Sequence, residues 1–282
     1  AQARAWDWLT SDQFLVRTNN LEPRQVLERY ALAVLYFSTN GGDWTEDFDF
    51  LTQDHACDWN NNRAYNDVDA WGAFCDEELN VKWIFLVNVG VSGTIPWELS
   101  LLSDLSALYL TSGTITGSIP TELENLALLG ELNVADNLLN GTMPTELGSL
   151  STLWHLDLSL NLYTGTLPTE FGDLTQLNYL YVEDNNLIGP VPTELGQLTN
   201  LEISFLNGNS FTGTLPTELS ELRLLTNFLF QGNQLTGSVN DIFCSDDGRE
   251  WNNLVSDCLA SDGEIECVCC TACCNVNATQ CQ

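Results

Sequence analysis

Hydrophobic residues recur with a period of 24 along most of this 282-residue chain. Each period contains Leu-x-x-Leu-x-Leu-x-x-Asn, as in Leu153 to Asn161, where apolar and polar positions alternate at the centre. Alternation with a period of two is typical of a half-buried strand. The pattern predicts seven short strands, near residues 84–86, 108–110, 132–134, 156–158, 180–182, 204–206 and 228–230.

Glycine follows the same period. It recurs at Gly93, Gly117, Gly141, Gly165, Gly189, Gly213 and Gly237, and proline lies three residues after the first six. A second apolar set is expected to fill the core opposite the strands: Leu99, Leu123, Leu147, Phe171, Leu195, Leu219 and Phe243. One repeat cannot bury its own apolar face, so the repeats must stack into a parallel solenoid.

The complete repeat resembles the plant-type leucine-rich repeat, Leu-x-x-Leu-x-Leu-x-x-Asn-x-Leu-x-Gly-x-Ile-Pro, from roughly Val81 to Asn240. The resemblance implies an α/β repeat solenoid, right-handed, with a parallel concave β-sheet and disulfide-stabilised caps. Its asparagines should form a buried ladder bonded to loop backbone groups. They are Asn137, Asn161, Asn185, Asn209 and Asn233. Val89 and Gly113 interrupt this column, so irregular turns are expected there.

Three segments are predicted: an N-terminal cap over 1–80, about seven repeats over 81–240, and a cysteine-rich C-terminal cap over 241–282. A helix is predicted over 23–37, with one apolar face formed by Val26, Leu27, Tyr30, Val34 and Phe37. The segments Cys57-Asp-Trp and Trp-Gly-Ala-Phe-Cys75 resemble the N-terminal cap of plant-type repeat proteins. That resemblance implies a Cys57–Cys75 disulfide.

Eight further cysteines lie in the C-terminal segment: Cys244, Cys258, Cys267, Cys269, Cys270, Cys273, Cys274 and Cys281. In a secreted chain this density indicates disulfides, and a thiolate metal cluster is the alternative. Bonds between adjacent cysteines would be strained, so longer-range pairs are expected. Together with the Gly-Gly-Asp-Trp sequence in the N-terminal cap, this tail resembles secreted repeat proteins of stramenopile algae such as diatoms.

The formal charge of −31, with no lysine or arginine between Lys82 and Arg223, disfavours binding to nucleic acids or anionic membranes. No apolar stretch is long enough for a membrane-spanning helix, and no signal peptide opens the chain. The opening residues could be a mature N-terminus left after cleavage. The acidic composition, the ten cysteines and the family resemblance favour a secreted or cell-surface location. Asn140 and Asn277 begin Asn-x-Thr sequences that a secreted protein could carry as glycosylation sites.

Aromatic and acidic residues occupy the outward strand positions, where no packing requirement explains them. Aromatic side chains are enriched at binding hot spots, so this concave face is the predicted ligand site. Trp83 and Phe85 are expected to lie under the N-terminal cap instead. The predicted ligand-binding residues are Tyr109, Glu131, Asp136, His155, Asp157, Tyr179, Tyr181, Glu183, Asp184 and Phe205.

Three of these acids, Glu131, Asp157 and Glu183, run diagonally over adjacent predicted strands. Like charges at this distance repel each other unless a cation compensates their charge. The cation could be a lysine or arginine of a partner, or Ca²⁺ held by the three carboxylates. The third interpretation is a solvated acidic surface. No other metal or cofactor is expected.

His155, Asp157 and Ser159 share a strand face, but they do not have the spacing of a catalytic triad. His155 and Ser159 would lie about 13 Å apart along an extended strand, beyond hydrogen-bond reach. No enzymatic activity is predicted.

The sequence favours an extracellular module that recognises a protein or peptide, with basic groups, through the concave face. The alternative is a structural acidic glycoprotein of a matrix, cell wall or adhesion layer, binding cationic polymers or Ca²⁺. The family resemblance adds receptor ectodomains and polygalacturonase-inhibitor-like proteins, which inhibit wall-degrading enzymes. Regular threonines also suggest binding to ice or another crystal surface, at Thr94, Thr142, Thr166 and Thr214.

Overall fold

A computed structural model describes residues 1–18, 22–46, 48–60, 70–244, 251–257 and 265–273. The chain divides into two compact units, Ala1–Leu139 and Asn140–Gln282. The helices are α1 (Gln2–Ser11), α2 (Gln13–Thr18), α3 (Pro23–Ser38) and α4 (Asn240–Phe243). None of the helices that the structure describes combines the length and apolar character needed to cross a bilayer.

The first unit contains two sheets. Its strands are β1 (Gly72–Cys75), β2 (Val81–Val87), β3 (Ser92–Gly93), β4 (Ala107–Thr111), β5 (Thr114–Gly117), β6 (Glu131–Asn133) and β7 (Leu138–Gly141). One sheet has the order β1-β2-β4-β6, in which only the β1–β2 pair is antiparallel. The other sheet pairs β3, β5 and β7 in parallel.

The second unit repeats this plan. Its strands are β8 (His155–Asp157), β9 (Leu162–Gly165), β10 (Tyr179–Tyr181), β11 (Asn186–Gly189), β12 (Ile203–Phe205), β13 (Ser210–Gly213), β14 (Asn227–Leu229), β15 (Gln234–Leu235), β16 (Gly237–Ser238), β17 (Asn253–Ser256), β18 (Ile265–Glu266) and β19 (Ala272–Cys273). The main sheet has the parallel order β8-β10-β12-β14-β17-β19. A side sheet pairs β9, β11, β13 and β15, and β16 pairs with β18.

Short 3-10 helices lead each repeat back towards the next main-sheet strand. They span Trp97–Leu101, Thr121–Asn125, Thr145–Ser149, Thr169–Asp173, Thr193–Gln197 and Thr217–Glu221. Two more lie in the N-terminal segment, at Gly41–Asp43 and Ala56–Asp58. The core residues predicted opposite the strands, from Leu99 to Phe243, are all buried, with at most 2% exposure. The predicted stacking of repeats on a common apolar core is confirmed.

The three-residue strands begin and end one residue earlier than predicted. Each strand ends before the second buried apolar residue, for example Leu158, although the Leu158 N–H still donates to Tyr181 O at 2.9 Å. The chain then turns through a residue with positive φ. This turn residue recurs as Asn88, Ser112, Asp136, Leu160, Asp184, Gly208 and Gly232. The expectation of irregular turns in the first two repeats is therefore wrong at this residue.

The asparagine ladder is present. In the central repeat, the Asn185 side chain donates to Leu158 O at 3.0 Å and accepts from Tyr163 N at 3.0 Å. Asp257 ends the ladder, because its carboxylate accepts from the backbone N–H groups of Gly232 and Asn233 at 2.9 and 3.2 Å. Strands β17 and β19 extend the parallel main sheet on either side of Asp257, so the C-terminal segment continues the repeat stack.

The predicted N-terminal helix forms as α3. Its predicted apolar face is confirmed at Val34, which is buried, and at Tyr30 and Phe37, which pack against the same cluster. It is wrong at Leu27, which is 47% exposed, and the burial also includes Ala31, Leu32 and Leu35. Since α1 packs on one side of α3 and a 3-10 helix packs on another, the burial covers more than one helical stripe.

Arg29 of α3 is buried at the centre of this N-terminal segment. Its guanidinium pairs with Asp12 at 2.6 Å and donates to the backbone carbonyls of Asp54 and Thr52. It also lies within 5.3 Å of the ring centroids of Trp8, Phe14 and Trp59. The partners satisfy the buried charge, as its burial requires.

Disulfide bonds cross-link residues within both terminal segments. Cys57 bonds Cys75, and in the C-terminal segment Cys244 bonds Cys269 and Cys267 bonds Cys270. None of these three bonds joins adjacent cysteines, as expected, although the last pair is only three residues apart. No cysteine in the described ranges is free, which favours disulfides over a thiolate metal cluster. Cys258, Cys274, Cys281 and Asn277 lie outside the described residues.

Candidate ligand-binding face

Aromatic residues cover the outward side of three main-sheet strands in the second unit. Register places Tyr179 between His155 and Ile203, and Tyr181 between Asp157 and Phe205. We call Trp154, His155, Tyr179, Tyr181 and Phe205 the aromatic face. The backbone register fixes which side chains are neighbours, because outward positions alternate along each strand.

The rings of the aromatic face form one contiguous set. His155 lies 5.9 Å from Tyr179 and 5.7 Å from Tyr181, and Tyr181 lies 5.1 Å from Phe205, measured between ring centroids. Trp154 lies 6.0 Å from Tyr179 and is 38% exposed. Most of these contacts are edge-to-face, a favourable geometry that holds each ring in place before any ligand arrives.

Trp154 was missing from the sequence-based prediction because it precedes the strand. A signal was nevertheless present, since the equivalent position in every other repeat is polar or glycine. Those residues are Lys82, Ser106, Gly130, Asn178, Glu202 and Thr226. A tryptophan in such a column has no repeat-wide structural role, so its presence points to contact with another molecule.

Asp157 is held in a local turn beside the aromatic face. Its Oδ1 accepts from the Ser159 hydroxyl at 2.6 Å and from the Ser159 backbone N–H at 3.1 Å. The Ser159 hydroxyl thus donates to a carboxylate and not to an imidazole base. The geometry supports the sequence argument that His155, Asp157 and Ser159 do not form a nucleophilic triad.

Glu183 lies two residues beyond Tyr181, beside this turn. Burial, followed by the nearby carboxylates of Asp157 and Asp184, raises the pKa of Glu183 to about 7. Burial also raises the pKa of Tyr181, with Asp157 and Glu183 contributing. A proton or an external cation would relieve the cost of this buried charge.

Three side-chain oxygens near the end of these strands are buried and accept no hydrogen bond from the described residues. They are Glu183 Oε2, Asn207 Oδ1 and Gln231 Oε1. They occupy the same place in three successive repeats. Sequence reasoning missed Asn207 and Gln231, because nothing in the repeat pattern separates a buried amide oxygen from a solvated one.

Asp136 and Asp184, two of the predicted ligand-binding residues, lie at the turn position, with φ of 57° and 51°. Aspartate tolerates this left-handed conformation better than most residues. Their predicted role in ligand binding stays a prediction. Burial raises the pKa of Asp184.

Tyr109 and Glu131 lie in the first unit and contact each other. The Tyr109 hydroxyl donates to Glu131 Oε2 at 2.5 Å. Phe85 packs 5.2 Å from Tyr109 and 6.0 Å from Phe74 of β1, between ring centroids. Phe85 is therefore covered by the strand that precedes the repeats.

None of the three predicted Ca²⁺ ligands belongs to a close group of possible metal ligands found among the described residues. Among the described residues, the groups of three histidine, cysteine or acidic side chains with ligand atoms within 4.8 Å of one another are His55/Cys57/Cys75 and Cys244/Cys267/Cys269. Both groups contain disulfide sulfurs, which are not thiolate ligands. Neither Asp157 nor Glu183 belongs to such a group, although the Asp157 carboxylate is near enough to raise the pKa of Glu183.

The side sheet gives the repeated threonines a structural role. A β-carbon added to Gly165 or Gly189 would lie 2.9 Å from the methyl group of Thr142 or Thr166 in the preceding repeat. Each methyl group thus covers a glycine whose φ is near 80°, a conformation that favours glycine. This packing explains a threonine–glycine period without a crystal-surface ligand. Asn140, the predicted glycosylation site, is an exposed residue of β7.

No family model matches this chain, and no curated protein matches it. Among solved structures, it is similar to the LRR ectodomain of the Arabidopsis thaliana receptor kinase GASSHO1/SCHENGEN3 in complex with CASPARIAN STRIP INTEGRITY FACTOR 2, at 32% identity and a TM-score of 0.59, over 71% of this chain and 25% of that one. The PEPR1–AtPEP1 structure gives 31% identity and a TM-score of 0.58, over 60% of this chain and 24% of that one. This chain thus spans about a quarter of each receptor chain.

A plant ice-binding protein gives a TM-score of 0.65 at 24% identity, over 82% of this chain and 69% of that one. This likeness concerns the fold alone. Together with the parallel sheets and recurrent 3-10 helices, the three similarities assign the chain to the leucine-rich repeat solenoid fold, with disulfides in its terminal segments. The algal resemblance stays a prediction.

Proposed function

We propose that this protein is an extracellular or cell-surface module that binds a peptide or a peptide-like segment of a protein through the aromatic face. The observation that carries the proposal is the set of five contiguous rings on the outward side of β8, β10 and β12 and at the residue before β8. Rigid aromatic groups supply contact area at low conformational cost.

The similar structures support this class of ligand. The GASSHO1/SCHENGEN3 ectodomain and PEPR1 were each solved with the named partner, CASPARIAN STRIP INTEGRITY FACTOR 2 and AtPEP1. The location outside the cell also rests on this similarity. Because these proteins are binding ectodomains, they support recognition and not catalysis as the role of this chain.

A basic ligand fits the charge of the face. The sequence has no lysine or arginine between Lys82 and Arg223, so the stretch that carries Asp157, Glu183 and the aromatic face is acidic. Acidic potential on one partner speeds encounter with a basic partner and disfavours acidic ones. Electrostatics would therefore select the ligand class, and the aromatic contacts would hold the ligand.

The acidic matrix protein is the second candidate, and the net charge of −31 favours it. The two functions differ in their salt dependence. Attraction between exposed charges weakens when salt shortens the Debye length to about 3–5 Å, whereas a packed aromatic contact persists.

A peptide-display selection at about 0.5 M NaCl separates the two candidates. Binding of the selected peptides is compared between the wild type, a Tyr179→Ala/Tyr181→Ala variant and a Leu128→Ala/Leu224→Ala control, which truncates two exposed leucines elsewhere. The proposal expects the tyrosine variant to lose at least about tenfold in affinity while the control binds normally. Equal binding by both variants, or binding only at low salt, contradicts the proposal and favours the matrix role.

A further inference from the structure

Glu183, Asn207 and Gln231, which we call the acceptor row, occupy the same position in three successive repeats, and each has one buried side-chain oxygen. Each oxygen is solvent-inaccessible and has no hydrogen-bond donor among the described residues. Backbone bonds hold the row in register, since Asp184 N donates to Asn207 O and Gly208 N donates to Gln231 O, both at 3.0 Å.

The dimensions of the row follow from the sheet. Neighbouring parallel strands lie about 4.8 Å apart, so three adjacent positions span about 10 Å between the outer α-carbons. Tyr181 and Phe205 occupy the next outward positions on the same strands. The row therefore borders the aromatic face along its C-terminal edge.

Two residues after Asn207 and Gln231, by contrast, the side chains of Asn209 and Asn233 are hydrogen-bonded within the fold. Asn209 donates to Val182 O at 2.9 Å and accepts from Leu187 N at 3.0 Å, and Asn233 is bonded in the same way. A buried acceptor without a donor costs about 1–3 kcal/mol. Three such acceptors in one row are an uncompensated cost in the free protein, which a ligand with N–H groups would remove.

A metal ion does not match this arrangement. Ca²⁺ binds its oxygen ligands at about 2.3–2.6 Å. The side chains of the row start from α-carbons about 4.8 Å apart, and only Glu183 is a carboxylate. A planar donor that bridges neighbouring positions matches better. The arginine guanidinium offers five N–H donors in a fixed fork, is more weakly hydrated than an ammonium group, and stacks on aromatic rings.

We propose that the acceptor row is the subsite for an arginine side chain of the ligand. The half-buried side chains of the row turn their oxygens outward on binding, so that the guanidinium donates to neighbouring oxygens and lies against Tyr181 and Phe205. This assignment rests on the proposed peptide-binding function. It adds the identity of one ligand residue and the groups that select it.

The test uses pools of random heptapeptides whose central residue is fixed as arginine, citrulline, lysine or glutamate. Citrulline keeps the shape of arginine without its charge. The proteins are the wild type, an Asn207→Leu/Gln231→Met variant that removes two acceptors at similar volume, and the Tyr179→Ala/Tyr181→Ala variant. Thermal unfolding of each variant establishes that it is folded.

The inference expects the wild type to bind the arginine pool at least about tenfold more tightly than the citrulline pool. The acceptor variant should lose this preference yet still bind the pools at their common weaker level, and the tyrosine variant should lose binding to all pools. Equal wild-type binding of arginine and citrulline, or an arginine preference that survives in the acceptor variant, overturns the inference and leaves peptide binding intact. Failure of every pool to bind the wild type overturns both proposals.

A second measurement does not require a peptide. Acetyl-arginine amide is titrated into ¹⁵N-labelled protein, and the side-chain amide signals of Asn207 and Gln231 are followed by NMR. The inference expects both signals to shift with arginine amide and not with the citrulline analogue, while the Asn209 signal stays fixed. Unmoved Asn207 and Gln231 signals at saturating arginine amide contradict it.

Discussion

The ring of Tyr181 meets the ring of Phe205 edge-to-face on the neighbouring strand, with centroids 5.1 Å apart. Both side chains point away from the core, so the contact does not serve the interior of the solenoid. It fixes two aromatic groups beside the acceptor row, where Glu183 and Asn207 follow on the same strands. One short stretch of sheet therefore presents apolar contact area and unbonded acceptors together.

Two asparagines on one turn give opposite predictions for stability. Asn209→Leu removes the amide that donates to three backbone carbonyls and accepts from Leu187 N, so it should cost about 2–4 kcal/mol. Asn207→Leu removes a buried oxygen without a donor, so the free energy of unfolding should stay the same or rise. Urea unfolding of the two single variants measures both effects, and equal destabilisation would show that the Asn207 side chain is bonded.

Glu183 should make stability depend on pH. The folded-state pKa is raised from 4.5 to about 7. The protonated group thus contributes stability that is complete below the unfolded pKa and is lost as the pH rises through about 7. Glu183→Gln should equal the wild type near about pH 4 and exceed it by about 1 kcal/mol near about pH 8, a modest value because the group is only partly buried. A constant difference between variant and wild type across this pH range, in urea unfolding, would rule out the raised pKa.

Leu160 stores backbone strain at the end of β8. It has a φ of 52° and is 49% exposed, whereas Asn88 and Asp184 hold the equivalent turn with side chains that tolerate this conformation. Leu160→Asn should raise the free energy of unfolding by about 1 kcal/mol. If thermal and urea unfolding instead show a loss of stability, the leucine side chain makes packing contributions that outweigh its strain.

The buried Arg29–Asp12 pair should be essential to the N-terminal segment. Arg29→Met keeps much of the volume but leaves the Asp12 carboxylate buried without its partner, at a cost of about 3–5 kcal/mol. Arg29→Lys should recover only part of this, because one ammonium group cannot reproduce the bonds to Asp12, Asp54 O and Thr52 O. Chemical unfolding should rank the stabilities as wild type, then Arg29→Lys, then Arg29→Met. An Arg29→Lys variant as stable as the wild type would contradict this prediction.

The repeat core could be predicted from the sequence because each buried leucine recurs at a fixed spacing, so seven weak signals reinforce one another. The turn role of Asp184 was also available in principle, since Gly208 and Gly232 occupy the same column and glycine marks a left-handed position. Arg29 could not be placed in this way. Its burial depends on Trp8 and Trp59, which are distant in sequence and outside any repeat.

The candidate site also contains residues that could be predicted from the sequence and residues that could not. Tyr179, Tyr181 and Phe205 could be predicted because alternation identifies outward strand positions. Asn207 and Gln231 could not, because their significance lies in the absence of a hydrogen-bond donor in the folded chain. Sequence patterns report which residues are polar, but only the packed structure shows which polar atoms the fold leaves unbonded.

The most direct test of the account is calorimetric titration of one arginine-containing peptide, selected as described above, at about 0.5 M NaCl. The wild type, Tyr181→Ala and the distant control Leu224→Ala are compared. The account predicts that Tyr181→Ala raises Kd by at least about tenfold, which is about 1.4 kcal/mol of binding free energy, and that Leu224→Ala leaves Kd unchanged. An unchanged Kd for Tyr181→Ala would contradict the assignment of ligand binding to the aromatic face.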